Sequence, residues 1–254
     1  MSTTQEEGTY ERKQLKSRSR LISWSHATRF QVGIEWGQEL KGKRVLDYGC
    51  GDGTYLRMLM ESAGAPARAL GVDLSLDLVE SNRRRFAGQR GLDFAPVGDL
   101  AKPEHAGAFD GLVCMEVLEH VLDPVWFVEE FHRLLAPGGL LLLSVPVEIG
   151  FSVVVKQAVR RINGWRGIGD YPGTTSYSLP ELVRAVFAGP RQHVIRPVHR
   201  NPDGSQFHDH KGFNWRLLRE QLGARFRVEE IRTSPVSWLP AFVASQVWFR
   251  ARRR

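Results

Sequence analysis

Glycines at 49, 51 and 53 and aspartates at 47, 73 and 99 are the residues of this 254-residue chain whose types and spacing can do chemistry together. Residues 45 to 56 read Val-Leu-Asp-Tyr-Gly-Cys-Gly-Asp-Gly-Thr-Tyr-Leu, an apolar strand running through a glycine turn into helix-like sequence. Alternate glycines let the backbone bend sharply, take positive φ, and approach a ligand with no Cβ in the way. Spacing narrows the ligand. A dinucleotide fingerprint, G-x-G-x-x-G, needs glycine where Thr54 stands, and the phosphate-loop pattern G-x-x-x-x-G-K-[ST] is absent. Asp47, at the end of the strand, can meet a cationic amino-acid headgroup directly or through water. Asp73 closes a second apolar strand, Ala-Leu-Gly-Val-Asp, and can accept from both hydroxyls of a ribose. Asp99, in Val-Gly-Asp-Leu, ends a third strand candidate and can accept from an adenine amino group. Each has a plainer reading: a tight strand-to-helix turn for the glycines, a helix cap for Asp73 ahead of Ser75, and a turn cap for Asp99.

Positioning these groups takes a sheet. Strand-like runs near 43–48, 68–73, 92–97, 110–115 and 140–146 alternate with helix-like runs near 54–63, 76–88 and 124–135, the pattern of a doubly wound α/β fold with a mostly parallel sheet. Asp123-Pro124 starts the last of these helices, because proline suits a first turn. Two further strands, Phe226 to Thr233 and Gln246 to Ala251, follow a helix over 213–222. In such sheets ligands bind beyond the carboxyl ends of the strands, which is where Asp47, Asp73, Asp99 and Met115 converge.

With the glycine turn, Phe109-Asp-Gly-Leu-Val-Cys-Met-Glu-Val-Leu-Glu-His-Val121 and Leu134-Leu-Ala-Pro-Gly-Gly-Leu-Leu-Leu-Leu-Ser-Val-Pro146 make residues 43 to 147 resemble the class I S-adenosylmethionine-dependent methyltransferases. The Met-Glu-Val-Leu-Glu-His-Val stretch is similar to the branch holding ubiquinone-pathway O-methyltransferases and many small-molecule and sugar methyltransferases. The resemblance implies a seven-stranded Rossmann-like sheet, with one of the final two strands antiparallel. It implies S-adenosylmethionine as cofactor, held by Asp47, Gly49, Gly51, Gly53, Asp73 and Asp99, with Leu74, Leu100 and Met115 beside the adenine. Four segments follow: 1–42 as a helical segment over the cofactor, 43–147 as the cofactor core, 148–211 as an inserted acceptor cap, and 212–254 as the last helix and two strands. Arg29, in Ser-Trp-Ser-His-Ala-Thr-Arg-Phe, is expected to meet the cofactor carboxylate.

Methyl transfer to a hydroxyl requires an aligned acceptor and a base near neutral pH, the task that suits histidine. His120, after the fourth strand, is the first candidate; His208 and His210, in Phe-His-Asp-His-Lys at the end of the insertion, are the others. A structural turn-capping role is the alternative for His120. Glu116, Glu119 and His120 also match a Glu-x-x-Glu-His arrangement that binds a divalent ion in some relatives, where Mg²⁺ would hold a catechol-like acceptor; the expected site contains no metal. The acceptor is expected to be a small molecule or glycan, including a saccharide or lipid-linked intermediate, because Trp-Ser-His and His-Lys-Gly-Phe are similar to surface-polysaccharide methyltransferases. A quinone or phenol acceptor is the second reading, and a non-catalytic cofactor-binding scaffold or sensor the third.

Composition sets outer bounds. A hydrophobic content of 42% over 254 residues supports one large core or a core plus a small cap. Net charge is +7, but the positive residues are spread over several elements and no RNA-binding module is present, so nucleic acid is not the expected partner. The fourth-strand turn also lacks the Asn/Asp-Pro-Pro-aromatic run of base amino-group methylation, which favours oxygen acceptors. Two cysteines without metal-ligand spacing and no apolar leader give a cytoplasmic expectation. Residues 151 to 165 form a basic amphipathic pattern with Lys156, Arg160, Arg161 and Arg166, read either as a lid touching an anionic surface or as an ordinary cap helix. The uncharged run from Thr233 to Phe249, broken by Pro235 and Pro240, is too interrupted to span a bilayer, although Trp238, Leu239 and Phe242 offer a peripheral membrane contact.

Overall fold

The computed structural model describes residues 20–165, 175–192, 194–201, 204–238, 240–241 and 244–254, with positions 8 and 15. The sheet has seven strands: β1 (Arg44–Tyr48), β2 (Arg68–Asp73), β3 (Leu92–Pro96), β4 (Phe109–Met115), β5 (Leu135–Pro146), β8 (Phe226–Ser234) and β9 (Gln246–Arg253), in the order β3-β2-β1-β4-β5-β9-β8. Neighbours from β3 through β5 pair in parallel, and β9 runs antiparallel to both β5 and β8. Chain order reverses between β1 and β4, which creates a crevice at their carboxyl ends.

Successive residues of these strands serve opposite faces. Leu112, Cys114, Leu141, Leu143 and Phe249 join one core cluster, while Val113, Leu140, Leu142 and Trp248 join the other. A strand buried on both faces reads as an unbroken apolar run, and Leu140–Leu143 is one. Helix α1 (Arg20–Gly37) covers the second face together with α2 (Thr54–Met60) and α3 (Leu76–Arg85); α4 (Pro124–Leu134) and α7 (Trp215–Gly223) cover the first. Gly33 sets the approach of α1, since a Cβ there would fall 2.9 Å from both Trp248 and Tyr55. The Tyr55 hydroxyl donates to the Gly33 carbonyl at 3.0 Å across the same contact.

Several boundaries differ from the sequence reading. Helix α2 ends at Met60 and α3 at Arg85, because Ser62 turns back onto the Leu59 carbonyl and Phe86 stacks on Phe94 in the core. Strand β5 starts at Leu135, which pairs with Phe109, and the register slips before Leu140 pairs with Gly111. The Pro-Gly-Gly run therefore lies within the strand, with Gly138 at φ +73°.

Between β5 and α7 the insertion builds α5 (Phe151–Trp165), α6 (Leu179–Val186) and a two-stranded hairpin, β6 (Val198–Arg200) with β7 (Gln206–His208). Lys156 does not extend a basic outer face: its ammonium donates to the carbonyls of Val147 and Ser245 and to buried Glu148 at 2.8–3.0 Å, pinning α5 to the sheet. The Arg160, Arg161 and Arg166 side chains lie outside the described residues, as do Leu239 and Phe242; Trp238 is exposed. Among the described residues no helix is long and apolar enough to cross a membrane.

Candidate active site

The carboxyl ends of β1, β2 and β4 open into a cavity of about 580 Å³ at the reversal of strand order. Asp47, Gly49 and Gly51 line it from β1 and its turn, Asp73 and Leu74 from β2, and Met115 and His120 from β4 and its turn; Arg29 reaches it from α1.

The turn is clamped from two sides. The Gly51 amide donates to Asp73 Oδ2 at 2.9 Å, and the Gly51 carbonyl accepts from Asn82 Nδ2 at 2.7 Å. Gly51 sits at φ +55°, and a Cβ there would meet no atom within 4 Å, so the bare backbone faces open space on the cavity side. Gly49 and Gly53 have other reasons to be glycine. A Cβ on Gly49 (φ +76°) would strike Val117 at 2.4 Å, and one on Gly53 (φ +72°) would press on Phe86 and Phe94 at 2.9 and 3.0 Å. Gly53 therefore lets the turn pack on Phe86 and on Phe94 of β3, and it does not line the cavity.

Asp47 is almost fully buried, and among the described residues neither carboxylate oxygen has a hydrogen-bond partner. Burial, with Asp73 nearby, pushes its pKa up to about 8. An orphaned buried carboxylate in a cavity wall is a vacancy for a cation or donor carried by a ligand. Arg29, also buried, places Nη1 3.8 Å from Glu116 Oε2. Glu116 has φ +56°, in the left-handed region where a non-glycine residue is strained. Ser144 and Gln246 also approach its carboxylate, at 3.0 and 3.4 Å.

Asp73 is not the helix cap. Ser75 caps α3, while Asp73 Oδ1 accepts the Ser75 amide at 2.9 Å, so both carboxylate oxygens organise the site. Asp99 is outside the cavity: it sits in a 3-10 turn that aims its carboxylate at Lys102, 3.4 Å away, and Leu100 is packed in the core. Val97 lines the cavity in their stead.

His120 Nδ1 lies 2.9 Å from the His208 carbonyl, and the His208 amide donates to the His120 carbonyl at 2.9 Å. An imidazole nitrogen facing a carbonyl must carry its hydrogen, so neutral His120 keeps a lone pair on Nε2. His208 and His210 are not in the cavity wall. The His208 ring turns Nδ1 to the Pro197 carbonyl at 2.8 Å, and burial keeps its pKa below the usual histidine value; the His210 ring packs edge-on against His120, centroids 4.8 Å apart. Ligand atoms of Glu119, His120 and His210 lie within 4.8 Å of one another, while Glu116 is taken up by Ser144, Gln246 and Arg29. One carboxylate and two imidazoles are not the oxygen cage that Mg²⁺ takes, so the residues do not fit that ion. Glu119 has no hydrogen-bond partner on either side-chain oxygen among the described residues, and burial drives its pKa well above the carboxylate range.

The cavity also has walls that the sequence did not point to. Asn201, Ser205, Gln206 and Phe207 enter from the β6–β7 hairpin and share the cavity wall with Phe30, Phe127 and Leu122. Asn201 closes the hairpin through its amide to the Ser205 carbonyl at 2.8 Å and its side chain to Ser205 Oγ at 2.9 Å. The run Asn-Pro-Asp-Gly-Ser at 201–205 is a turn signature that marks this hairpin.

The strand order, the glycine turn and the crevice at the sheet reversal define a class I, Rossmann-like methyltransferase fold. The chain belongs to the methyltransferase domain family, whose model matches residues 23–223. It is 39% identical over 178 residues to a ubiquinone biosynthesis O-methyltransferase of Psychrobacter cryohalolentis, covering 64% of this chain and 65% of that protein. The chain thus spans under two thirds of the length of that relative. Among solved structures it resembles an S-adenosylmethionine-dependent methyltransferase from Mesorhizobium loti, with TM-score 0.56, 18% identity, and 87% and 96% of the two chains covered. The N-methyltransferase NodS from Bradyrhizobium japonicum, in complex with S-adenosyl-L-homocysteine, matches with TM-score 0.53 and 14% identity over 89% of this chain and 86% of that one.

Proposed function

We propose that the chain is an S-adenosylmethionine-dependent O-methyltransferase acting on a hydroxyl of a small, mostly flat molecule. One observation carries this reading: one cavity holds a carboxylate, Asp47, without a hydrogen-bond partner among the described residues, a bare glycine backbone at Gly51, and a histidine, His120, whose orientation is fixed by a cap carbonyl. Orphaned Asp47 and the open space over Gly51 fit the cationic, bulky amino-acid end of the cofactor. When bound, S-adenosylmethionine supplies a methyl group on a sulfonium for in-line displacement.

Within this reading Asp47 takes the ammonium and Arg29 the carboxylate, a division that matches their charges. Asp73, already fixed by Gly51 and Ser75, has lone pairs left for ribose hydroxyls, and Leu74, Val97 and Met115 supply apolar contact for the adenine. The acceptor enters on the cap side, between Phe127 and Phe207, where His120 Nε2 takes its hydroxyl proton. Alignment accounts for much of the rate. The aromatic lining suits a phenol-like acceptor, in keeping with the relatives named for ubiquinone biosynthesis, whereas a saccharide would rely on Asn201, Ser205 and Gln206.

The test is mass-spectrometric detection of methyl addition across a panel of phenols and saccharides, using wild type and His120→Asn. Expected is transfer to a phenol, with kcat lowered about 10²–10⁴-fold in the variant while S-adenosylhomocysteine binding stays within a few-fold. Tight cofactor binding without turnover on any acceptor would replace the enzyme with a scaffold. Full activity in His120→Asn would remove the base assignment.

A further inference from the structure

A second cavity, about 330 Å³, lies across the seam between cap and core, walled by the turn before α4, the start of α7 and the cap residues Gln192, Val194, Arg196 and His208. Leu122 belongs to the walls of both cavities. The guanidinium in this second wall has an unusual set of partners. Arg196 Nε donates to the Lys211 carbonyl at 3.3 Å, and Nη2 donates to the carbonyls of Asp209, at 2.7 Å, and Glu119. All three are neutral, and among the described residues Arg196 forms no ion pair and Nη1 forms no hydrogen bond.

The two acids closest to it are committed elsewhere. The Asp209 carboxylate accepts the amides of Thr175 and Lys211 at 2.7 and 2.9 Å and faces His199 at 3.4 Å, whereas Glu119 is buried, and burial raises its pKa well above the carboxylate range. Desolvation lowers the Arg196 pKa to about 10, which leaves it charged at neutral pH. A cation partly removed from water and hydrogen-bonded only to neutral carbonyls, with the Glu119 and Asp209 carboxyls acting on it from beyond contact, is costly to bury. Around it the wall offers carboxamides. Gln192 accepts the Gly189 amide through Oε1 at 3.1 Å, leaving its NH₂ group to donate, and Gln221 projects from α7. Asp123 is the acidic side chain in the wall, and its Oδ1 caps α4 by accepting from Val125 and Trp126 at 3.0 and 3.2 Å.

We propose that this cavity is a binding site for a small oxyanion, a phosphate or carboxylate group, held by Arg196 with Gln192 and Gln221 as neutral donors. Arginine is suited to this because its planar fork matches the spacing of oxyanion oxygens. The group is either a free ion or the acidic end of a ligand that passes Leu122 from the first cavity. The site does not rest on the methyltransferase reading.

The test is a titration of the full chain with inorganic phosphate in an amine buffer, followed by amide chemical shifts. Binding at millimolar strength or tighter is expected, with shifts in α7 and the cap. Arg196→Gln removes the ties to three cap and core carbonyls and risks misfolding, so Gln221→Glu is the sharper variant: it adds a like charge to the wall, leaves those ties intact, and weakens phosphate about tenfold or more. Phenyl phosphate is the second probe. Tighter binding than inorganic phosphate, with shifts at Phe127 and Phe207, identifies a group carried by a ligand spanning both cavities; equal binding with shifts confined to α7 and the cap identifies a free ion. Absence of binding up to about 10 mM phosphate, beyond the range of a millimolar site, or unchanged binding in Gln221→Glu, overturns the proposal.

Discussion

Replacing Asp47 by asparagine isolates the electrostatics of the cavity. In the folded chain the Asp47 carboxyl keeps its proton up to a pH of about 8, against an ordinary value of 3.8, because burial and then the Asp73 carboxylate oppose its ionisation. Its folded pKa is therefore raised, so its contribution to stability is fully present below pH 4 and is lost as pH rises toward 8. The full loss is at most about 6 kcal/mol for a gap of this size. Asparagine cannot ionise and avoids that loss, although its buried NH₂ group lacks an acceptor at a cost of about 1–3 kcal/mol. The stability of Asp47→Asn relative to wild type should thus climb between pH 4 and 8, level off above 8, and leave the variant about 3–5 kcal/mol more stable at pH 8.5. Urea denaturation of both proteins across that range measures the difference, in which all other titrations cancel. Binding shows the opposite face of the same group. At pH 7 about nine tenths of Asp47 is protonated, so capture of a cationic headgroup should release about 0.9 proton, a penalty of about 1.4 kcal/mol. Calorimetry of S-adenosylhomocysteine binding in two buffers of different ionisation enthalpy reads that release, which should vanish in Asp47→Asn as affinity falls by about 1–2 kcal/mol. A flat stability difference together with no proton release would refute the assignment of Asp47 as a neutral, vacant carboxyl.

Three further outcomes follow from the same geometry. Asp73→Ala removes the acceptor of the Gly51 and Ser75 amides, and S-adenosylhomocysteine binding should weaken by about 1–3 kcal/mol, the scale of a lost charged hydrogen bond; titration calorimetry decides it. Gly51→Val puts a β-branched side chain at φ +55° into the open space over the turn, so stability should fall by about 1–2 kcal/mol through backbone strain and cofactor binding should be lost, both measurable on one purified sample. Gly33→Ala drives a methyl group into Trp248 and Tyr55; overpacking should cost about 1–3 kcal/mol in urea unfolding, without changing the proton release linked to Asp47.

The sheet was legible because its strands are long, buried on both faces and separated by helices of ordinary pattern. Val45, Leu46 and Leu140 to Leu143 announce themselves as apolar runs. The glycine turn was legible for the same reason that it works: three positions with positive φ admit few other residues. Asp99 shows where spacing fails. Its strand ends at Pro96, and the 3-10 turn that follows sends the carboxylate to Lys102, a rotation that no periodicity records. His208 and His210 sit two apart, which on a strand would share one face; β7 ends at His208, and the two rings part company. Glu116 was a plausible ligand by spacing, yet its left-handed backbone turns it toward Ser144, Gln246 and Arg29. Asn201 follows one three-residue strand and Gln206 opens the other, both too short to show alternation, and only the turn composition between them carries a signal.

We propose that the cavity over Gly51 holds S-adenosylmethionine with its amino-acid end at Asp47, and a crystal structure of the chain grown with S-adenosylhomocysteine is the decisive experiment. The ligand ammonium should lie within hydrogen-bond distance of Asp47, its ribose hydroxyls on Asp73, and its sulfur on the side of the cavity lined by His120. A ligand bound elsewhere, or a cavity that stays empty of it at saturating concentration in a well-folded protein, would rule out Asp47 and Asp73 as the cofactor site.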